Sequence, residues 1–271
     1  MIRYREIRPS KPLQSSVATF WILEHDGNDS TPQRVVPDGR SELILNWGPP
    51  FEYLRDSRWI DQPSCFLAGQ LDGPLHLRPT GASKILGIRF HPHGASRFLS
   101  HPMDELSGRF APVSELSSDL FHRLETVDSA NPIAAIEAAL LASNGALDSL
   151  VAEAVRRIEL ANGRLDLAKL ARVLGLSTRQ FERRFQAVVG LAPKFYCRIH
   201  RFNRVFRALE EESANWADTA VSCGYYDQAH LIRDCNLLCG TTPARLLGNK
   251  TDLARHFYMS HSSNTVPSIR V

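Results

Sequence analysis

The chain has 271 residues, 43% apolar and 23% charged, with a net charge of +3, which predicts two soluble domains that each bury a core. No apolar run approaches the ~20 residues needed to span a bilayer, and Met1 to Ser16 lacks the apolar stretch of a secretory signal, so no membrane partner and a cytoplasmic location are expected. From Val151 onward 18 Lys and Arg oppose 11 Asp and Glu, a balance of +7; residues 1–150 hold 14 against 18, a balance of −4, so the second half alone suits a polyanion.

Residues 1–112 alternate short apolar stretches with turn signals. Ala18–Leu23, Ser41–Trp47, Ser64–Leu67, Leu75–Leu77 and Ile85–Phe90 predict strands, punctuated at Asp26-Gly27, Pro37-Asp38-Gly39, Pro49-Pro50, Asp72-Gly73 and Thr80-Gly81. Short strands with tight turns predict a small β-barrel or sandwich. Glu42, Asn46, Gln70 and Arg89 are polar residues in or beside these strands. Facing inward they would line a pocket, with Glu42, Asn46 and Arg89 the candidate ligand-binding residues; facing outward they would be the exposed half of an alternating strand. Residues 113–160 turn helical, with one apolar stripe at Ile133, Ile136, Leu140 and Leu141 and another at Leu147, Leu150, Val151, Ala154, Val155 and Ile158.

Residues 161–250 repeat themselves. Ala171 and Gly175 recur 49 positions later as Ala220 and Gly224; Arg183, Gly190 and Pro193 recur 50 positions later as Arg233, Gly240 and Pro243, so one unit carries a single extra residue in its turn. In the first unit Leu167, Leu170, Ala171 and Leu174 form a buried helical stripe that Gly175 ends, and Ser177 with Gln180 forms a capping box for a second helix. That helix buries Phe181, Phe185 and Val188 and presents Arg179, Glu182, Arg183 and Gln186. The second unit has Trp216, Thr219, Ala220 and Cys223 as its stripe, Gly224 as its stop and Asp227 as its cap. Leu231, Cys235 and Leu238 are then buried, while Gln228, His230 and Arg233 face out. Five cysteines without regular spacing argue against a disulfide framework, and Cys223, Cys235 and Cys239 fall where small core residues are expected. Pro193 starts a connecting helix with an apolar seam at Phe195, Ile199, Phe202, Phe206 and Leu209. Its roughly 19 residues make ~28 Å of rod, near the ~34 Å turn of duplex DNA. Arg198, Arg201, Arg204 and Arg207 along it would pair with phosphates or local acids, or stay solvated.

The stretch from Leu165 to Leu247, notably LARVLGLSTRQFERRFQAVVGLAPKFY and AVSCGYYDQAHLIRDCNLLCGTTPARLL, resembles the DNA-binding domain of AraC-type (AraC/XylS) transcriptional regulators. The resemblance implies that the second helix of each unit enters a major groove, with Arg179, Glu182 and Arg183, then Gln228, His230 and Arg233, placed to read bases; Gln186 shares the first exposed face. Cys235 and Asn236 depart from the family pattern, which has an aromatic residue followed by a basic one, and this predicts weaker DNA contact by the second unit. The stretches VVPDGRSELILNWG and ILGIRFHPHGASRFL look similar to the cupin-like regulatory domains of some such regulators. His91-Pro92-His93 brings a metal-binding cupin enzyme or sensor into view. A metal-holding cupin, however, should have Gly six residues earlier and Glu shortly after, where Ile85 and Ala95 or Ser96 stand, so no metal or cofactor is expected.

The expected fold class is α+β: an N-terminal small, cupin-like β-barrel (1–112), a helical linker or dimerisation region (113–160), an all-α domain with two helix-turn-helix units (161–250) and a tail (251–271). The expected function is sequence-specific, double-stranded DNA binding by an activator or repressor rather than an enzyme. RNA polymerase, a small-molecule effector and a second copy of the chain are its further possible partners. The alternatives are a metal-binding cupin enzyme or sensor fused to a DNA-binding module, and an adaptor whose helices bind protein.

Overall fold

A computed structural model describes residues 2–116, 119–143, 145–211, 216–242 and 245. Pro243, the tail, and the side chains of Phe206, Arg207, Leu209 and Trp216 lie outside the described residues. The N-terminal half holds β1 (Ile2–Ile7), β2 (Val17–Asp26), β3 (Gln33–Val35), β4 (Glu42–Asn46), β5 (Phe51–Arg55), β6 (Arg58–Asp61), β7 (Cys65–Ala68), β8 (Leu75–Pro79), β9 (Ala82–Phe90) and β10 (Phe110–Pro112). All ladders are antiparallel. They form a six-stranded sheet, β1-β2-β9-β4-β7-β10, and a four-stranded sheet, β3-β8-β5-β6. Among the described residues no strand pairing joins the sheets, so of the expected barrel or sandwich the structure shows two facing sheets that are not closed into a barrel. Alternation along a strand indicates where chains turn, but not whether the last strand pairs with the first.

Both faces of the larger sheet are covered. Toward the smaller sheet, Trp21, Ile44, Phe66 and Ile85 pack with Tyr4, Leu23, Phe51, Ala68 and Phe110, and Tyr53 meets Phe110 edge-on at 4.7 Å. On the opposite face Phe20, Ile22, Leu43, Leu45, Leu67, Leu86, Ile88 and Phe90 bury Leu13, Phe98, Met103, Leu106, Leu124, Ile136 and Leu140. Each such side chain contributes about 1.5–3 kcal/mol of transfer free energy. A short 3-10 helix at Ala95–Phe98 follows the His91-Pro92-His93 turn.

The helices are α1 (Asp119–Glu125), α2 (Pro132–Leu141), α3 (Ser149–Leu160), α4 (Leu167–Val173), α5 (Thr178–Val189), α6 (Pro193–Glu211), α7 (Trp216–Ser222) and α8 (Gln228–Cys239). The two apolar stripes of the linker part company. Ile136 and Leu140 of α2 join the core under the larger sheet, while Val151, Ala154, Val155 and Ile158 of α3 join the core built from α4 to α8.

The halves meet at residues 36–40. Val36 is buried in the helical core. Gly39 adopts φ +81°, and an added Cβ would lie 2.7 Å from the Tyr196 ring, so both backbone conformation and space demand glycine. Gln70 Nε2 donates to Gly39 O at 2.9 Å. Fully buried Tyr196 donates its hydroxyl to Glu159 at 2.9 Å.

Candidate nucleic-acid interface

The two units are built by the same local devices. Asp166 caps α4 by accepting from Ala168 N and Lys169 N. Leu170 and Ala171 are buried, with Leu167 and Leu174 packed beside them. The helix stops at Gly175, φ +73°, where Leu176 N donates to Ala171 O at 2.9 Å. In the second unit Gly224 has φ +88° and Tyr225 N donates to Ala220 O at 2.9 Å, the same 6→1 closure. Ser177 and Gln180 form the predicted capping box on α5, and Asp227 caps α8 by accepting from His230 N at 2.7 Å. Gly190 and Gly240 end α5 and α8 in left-handed conformations.

The helix α5 buries Phe181, Phe185 and Val189; Val188 is only partly buried. Arg179, Glu182, Arg183 and Gln186 are all exposed on its other side, and Gln228 and Arg233 are exposed on α8. His230 is half-buried instead of fully outward, its ring set edge-on to Tyr225 at 5.1 Å. Leu231, Cys235 and Leu238 are buried as expected, and Cys223 and Cys239 are buried too.

Two ion pairs brace the second helices; for Arg198 a local acid was one of the expected partners, whereas the Arg184 pair escaped the sequence reading. Arg184 of α5 bonds Asp148, the N-cap of α3, at 2.6 Å, and Arg198 of α6 bonds Asp234 of α8 at 2.6 Å. The partners lie 36 residues apart in both pairs. The second pair is the first displaced by 50 positions with its charges reversed. Each ion pair ties a second helix of a unit to the long helix before it. The signal lay in the repeat offset, which relates Asp148 to Arg198 and Arg184 to Asp234. The exposed side of α5 therefore carries Arg179 and Arg183 against Glu182, whereas α8 offers only Arg233, its Asp234 being turned inward.

The N-terminal half reaches the far ends of both helices. Ser107 Oγ donates to Gly190 O at 2.6 Å, and a Cβ on Gly190 would meet Ser107 Oγ, Gln70 and Met103 O at 2.8–3.1 Å. Beside Gly240 stands Pro74, whose Cγ is 3.2 Å from the position a Cβ would take. The segments 70–74 and 103–107 thus abut the C-terminal ends of α5 and α8 and leave their exposed N-terminal turns uncovered.

The candidate ligand residues separate. Glu42 and Arg89 are cross-strand partners facing inward. Arg89 Nε bonds Glu42 at 2.5 Å, Asp38 lies 3.8 Å away, and Trp21 Nε1 donates to the same Glu42 oxygen at 3.2 Å. Burial disfavours the Arg89 cation, but Glu42 and Asp38 more than offset this and hold its pKa above the ordinary value. Asn46 builds a turn instead, donating to Pro49 O and accepting from Gly48 N. His91 and His93 stack at 6.0 Å, and burial, with Arg40 and His93 nearby, pushes His91 down to about 4. Among the described residues no three His, Cys, Asp or Glu side chains gather to hold a metal ion.

Residues 170–249 match the family model of a helix-turn-helix domain (HTH_18), the same stretch in which the AraC-type motifs and both capped helices stand. The carboxy-terminal domain is of the AraC type. Residues 5–112 match a domain of unknown function (DUF6597). No curated protein matches the chain. Similar solved structures include an AraC-type transcriptional regulator from Chromobacterium violaceum (27% identity, 35% of this chain and 87% of that one, TM-score 0.33). Others are the DNA-binding domain of AdpA in complex with a target DNA (24% identity, 44% and 100%, TM-score 0.34) and ToxT from Vibrio cholerae (8% identity, 84% and 97%, TM-score 0.43). No described helix is long and apolar enough to cross a membrane.

Proposed function

We propose that this chain is a sequence-specific transcriptional regulator that grips one face of double-stranded DNA with two AraC-type units under the control of its N-terminal domain. The observation that carries this is the pair of helices that are each capped by a side chain, ended by a left-handed glycine and anchored by an ion pair behind, with polar side chains exposed in front. Arg183 and Arg233 bond guanine edges in bidentate fashion; Arg179 and Glu182 flank the first contact, Glu182 accepting from cytosine N4; Gln186 and Gln228 suit adenine. His230, half-withdrawn against Tyr225, contributes from the edge of the second site.

Control runs through binding equilibria and needs no covalent step. The N-terminal sheets form a cupin-like sensor that touches the ends of α5 and α8 through Ser107, Gln70 and Pro74. An effector that favours one setting of these contacts shifts DNA occupancy, RNA polymerase recruitment or pairing with a second copy in the cytoplasm. Selection of bound sites from random duplexes by the full chain tests this. The expected yield is a motif of two half-sites about one helical turn apart, the second less sharply defined; failure to enrich any duplex contradicts it.

A further inference from the structure

The one-residue mismatch between the two repeats has a definite occupant. In the first unit the turn runs Gly175-Leu176-Ser177, and Leu176 is partly buried immediately before the cap. In the second it runs Gly224-Tyr225-Tyr226-Asp227, so one further residue precedes the cap. Tyr225 is buried and takes the place of Leu176, held between the His230 ring at 5.1 Å and the Arg201 guanidinium at 5.6 Å. Tyr226 is the extra residue. It is 89% exposed, the most of any large hydrophobic side chain among the described residues, and its hydroxyl has no partner there.

Its position gives that exposure a meaning. Tyr226 directly precedes Asp227, the cap of α8, and so stands at the end of the helix that enters the groove in a helix-turn-helix docking. The walls beside that end are sugar and phosphate. A phenol supplies a neutral donor for a phosphate oxygen, and its ring covers the adjoining deoxyribose. The second unit is also short of cations, with Arg233 the sole exposed positive side chain on α8 and Asp227 beside it. A non-ionic contact meets that deficit without drawing on counterion release.

Resting on the regulator reading above, we infer that Tyr226 is a DNA-contact residue of this chain, packing on the duplex backbone beside the second half-site and donating its hydroxyl to a phosphate. Its contribution is independent of base identity and nearly insensitive to salt, unlike that of an arginine.

The test uses the full chain and a duplex recovered by the selection above, with fluorescence anisotropy titrations over a range of salt. Tyr226→Ala is expected to weaken binding about tenfold and Tyr226→Phe about threefold, both with the wild-type salt slope, whereas loss of a cation that neutralises a phosphate would lower the slope by about one. Since Tyr226 is exposed, both variants should fold, as circular dichroism will verify. If Tyr226→Ala or Tyr226→Phe binds as the wild type does while Arg183→Ala binds poorly, the tyrosine contact is overturned and the regulator reading stands. If the wild type itself shows no salt-dependent affinity for duplex DNA, both fall.

Discussion

Replacing Arg183 by Ala lowers affinity for the selected duplex by about 1–3 kcal/mol, roughly fivefold to 150-fold, and relaxes the preference at one base position of the first half-site. Arg233→Ala costs less. Arg183 stands on a helix fixed by a capping box, by Phe181 and Phe185 underneath and by the Arg184–Asp148 pair, with Arg179 beside it. Its guanidinium is thus presented from a rigid surface of positive potential. Arg233 stands on a helix whose buried anchor is the smaller Cys235 and whose neighbours bring no further cation. A titration at fixed salt compares the two directly. Equal losses, or a larger one for Arg233→Ala, contradict the asymmetry.

Glu42→Ala destabilises the N-terminal domain by about 3–5 kcal/mol, because it takes the nearest counter-charge from a buried cation that cannot lose its proton. Only 4% of the Arg89 side chain is exposed, and the substitution removes its closest carboxylate, Asp38 standing farther off at 3.8 Å. Trp21 Nε1 loses its acceptor in the same step. Glu42→Gln keeps a hydrogen-bond acceptor for both groups and is expected to cost less. Urea unfolding followed by tryptophan fluorescence, with Trp21 beside the altered site, gives the order wild type, Gln, Ala in falling midpoint. An Ala variant as stable as the wild type would show that the pair contributes little. The effect should extend beyond the sheets, because Asp38 belongs to the segment that seats Val36 and Gly39 against the helical core.

The devices legible in sequence were those whose cause is local. Ser177 with Gln180, Asp227, and the glycines at 175, 190, 224 and 240 announce helix ends because capping and left-handed backbone restrict the residue type at one position. Phe181 and Phe185 were legible by spacing, but spacing of three or four does not separate Val188 from Val189, and packing chose the latter. β2, β4, β7 and β9 were found because they are apolar. The hairpin of β5 and β6 was not: its strands are half-exposed and charged, and it turns on Asp56-Ser57, both at positive φ, without the usual glycine or asparagine. Openness of the sheets, the Ser107–Gly190 bond across 83 positions and the inward turn of Asp234 depend on distant partners, which periodicity does not register. Tyr226 was present in the sequence only as an offset of 49 changing to 50.

In the proposed mode of binding α6 holds α5 and α8 so that both seat in successive major grooves on one face of a duplex. This mode is tested most directly by measuring the affinity of the full chain for duplexes whose half-sites are kept at the selected spacing or moved apart by about 5 base pairs, half a turn. The half-turn insertion is expected to reduce binding to that of a single half-site, a loss of roughly a hundredfold or more. Affinity that does not change with the insertion would contradict it.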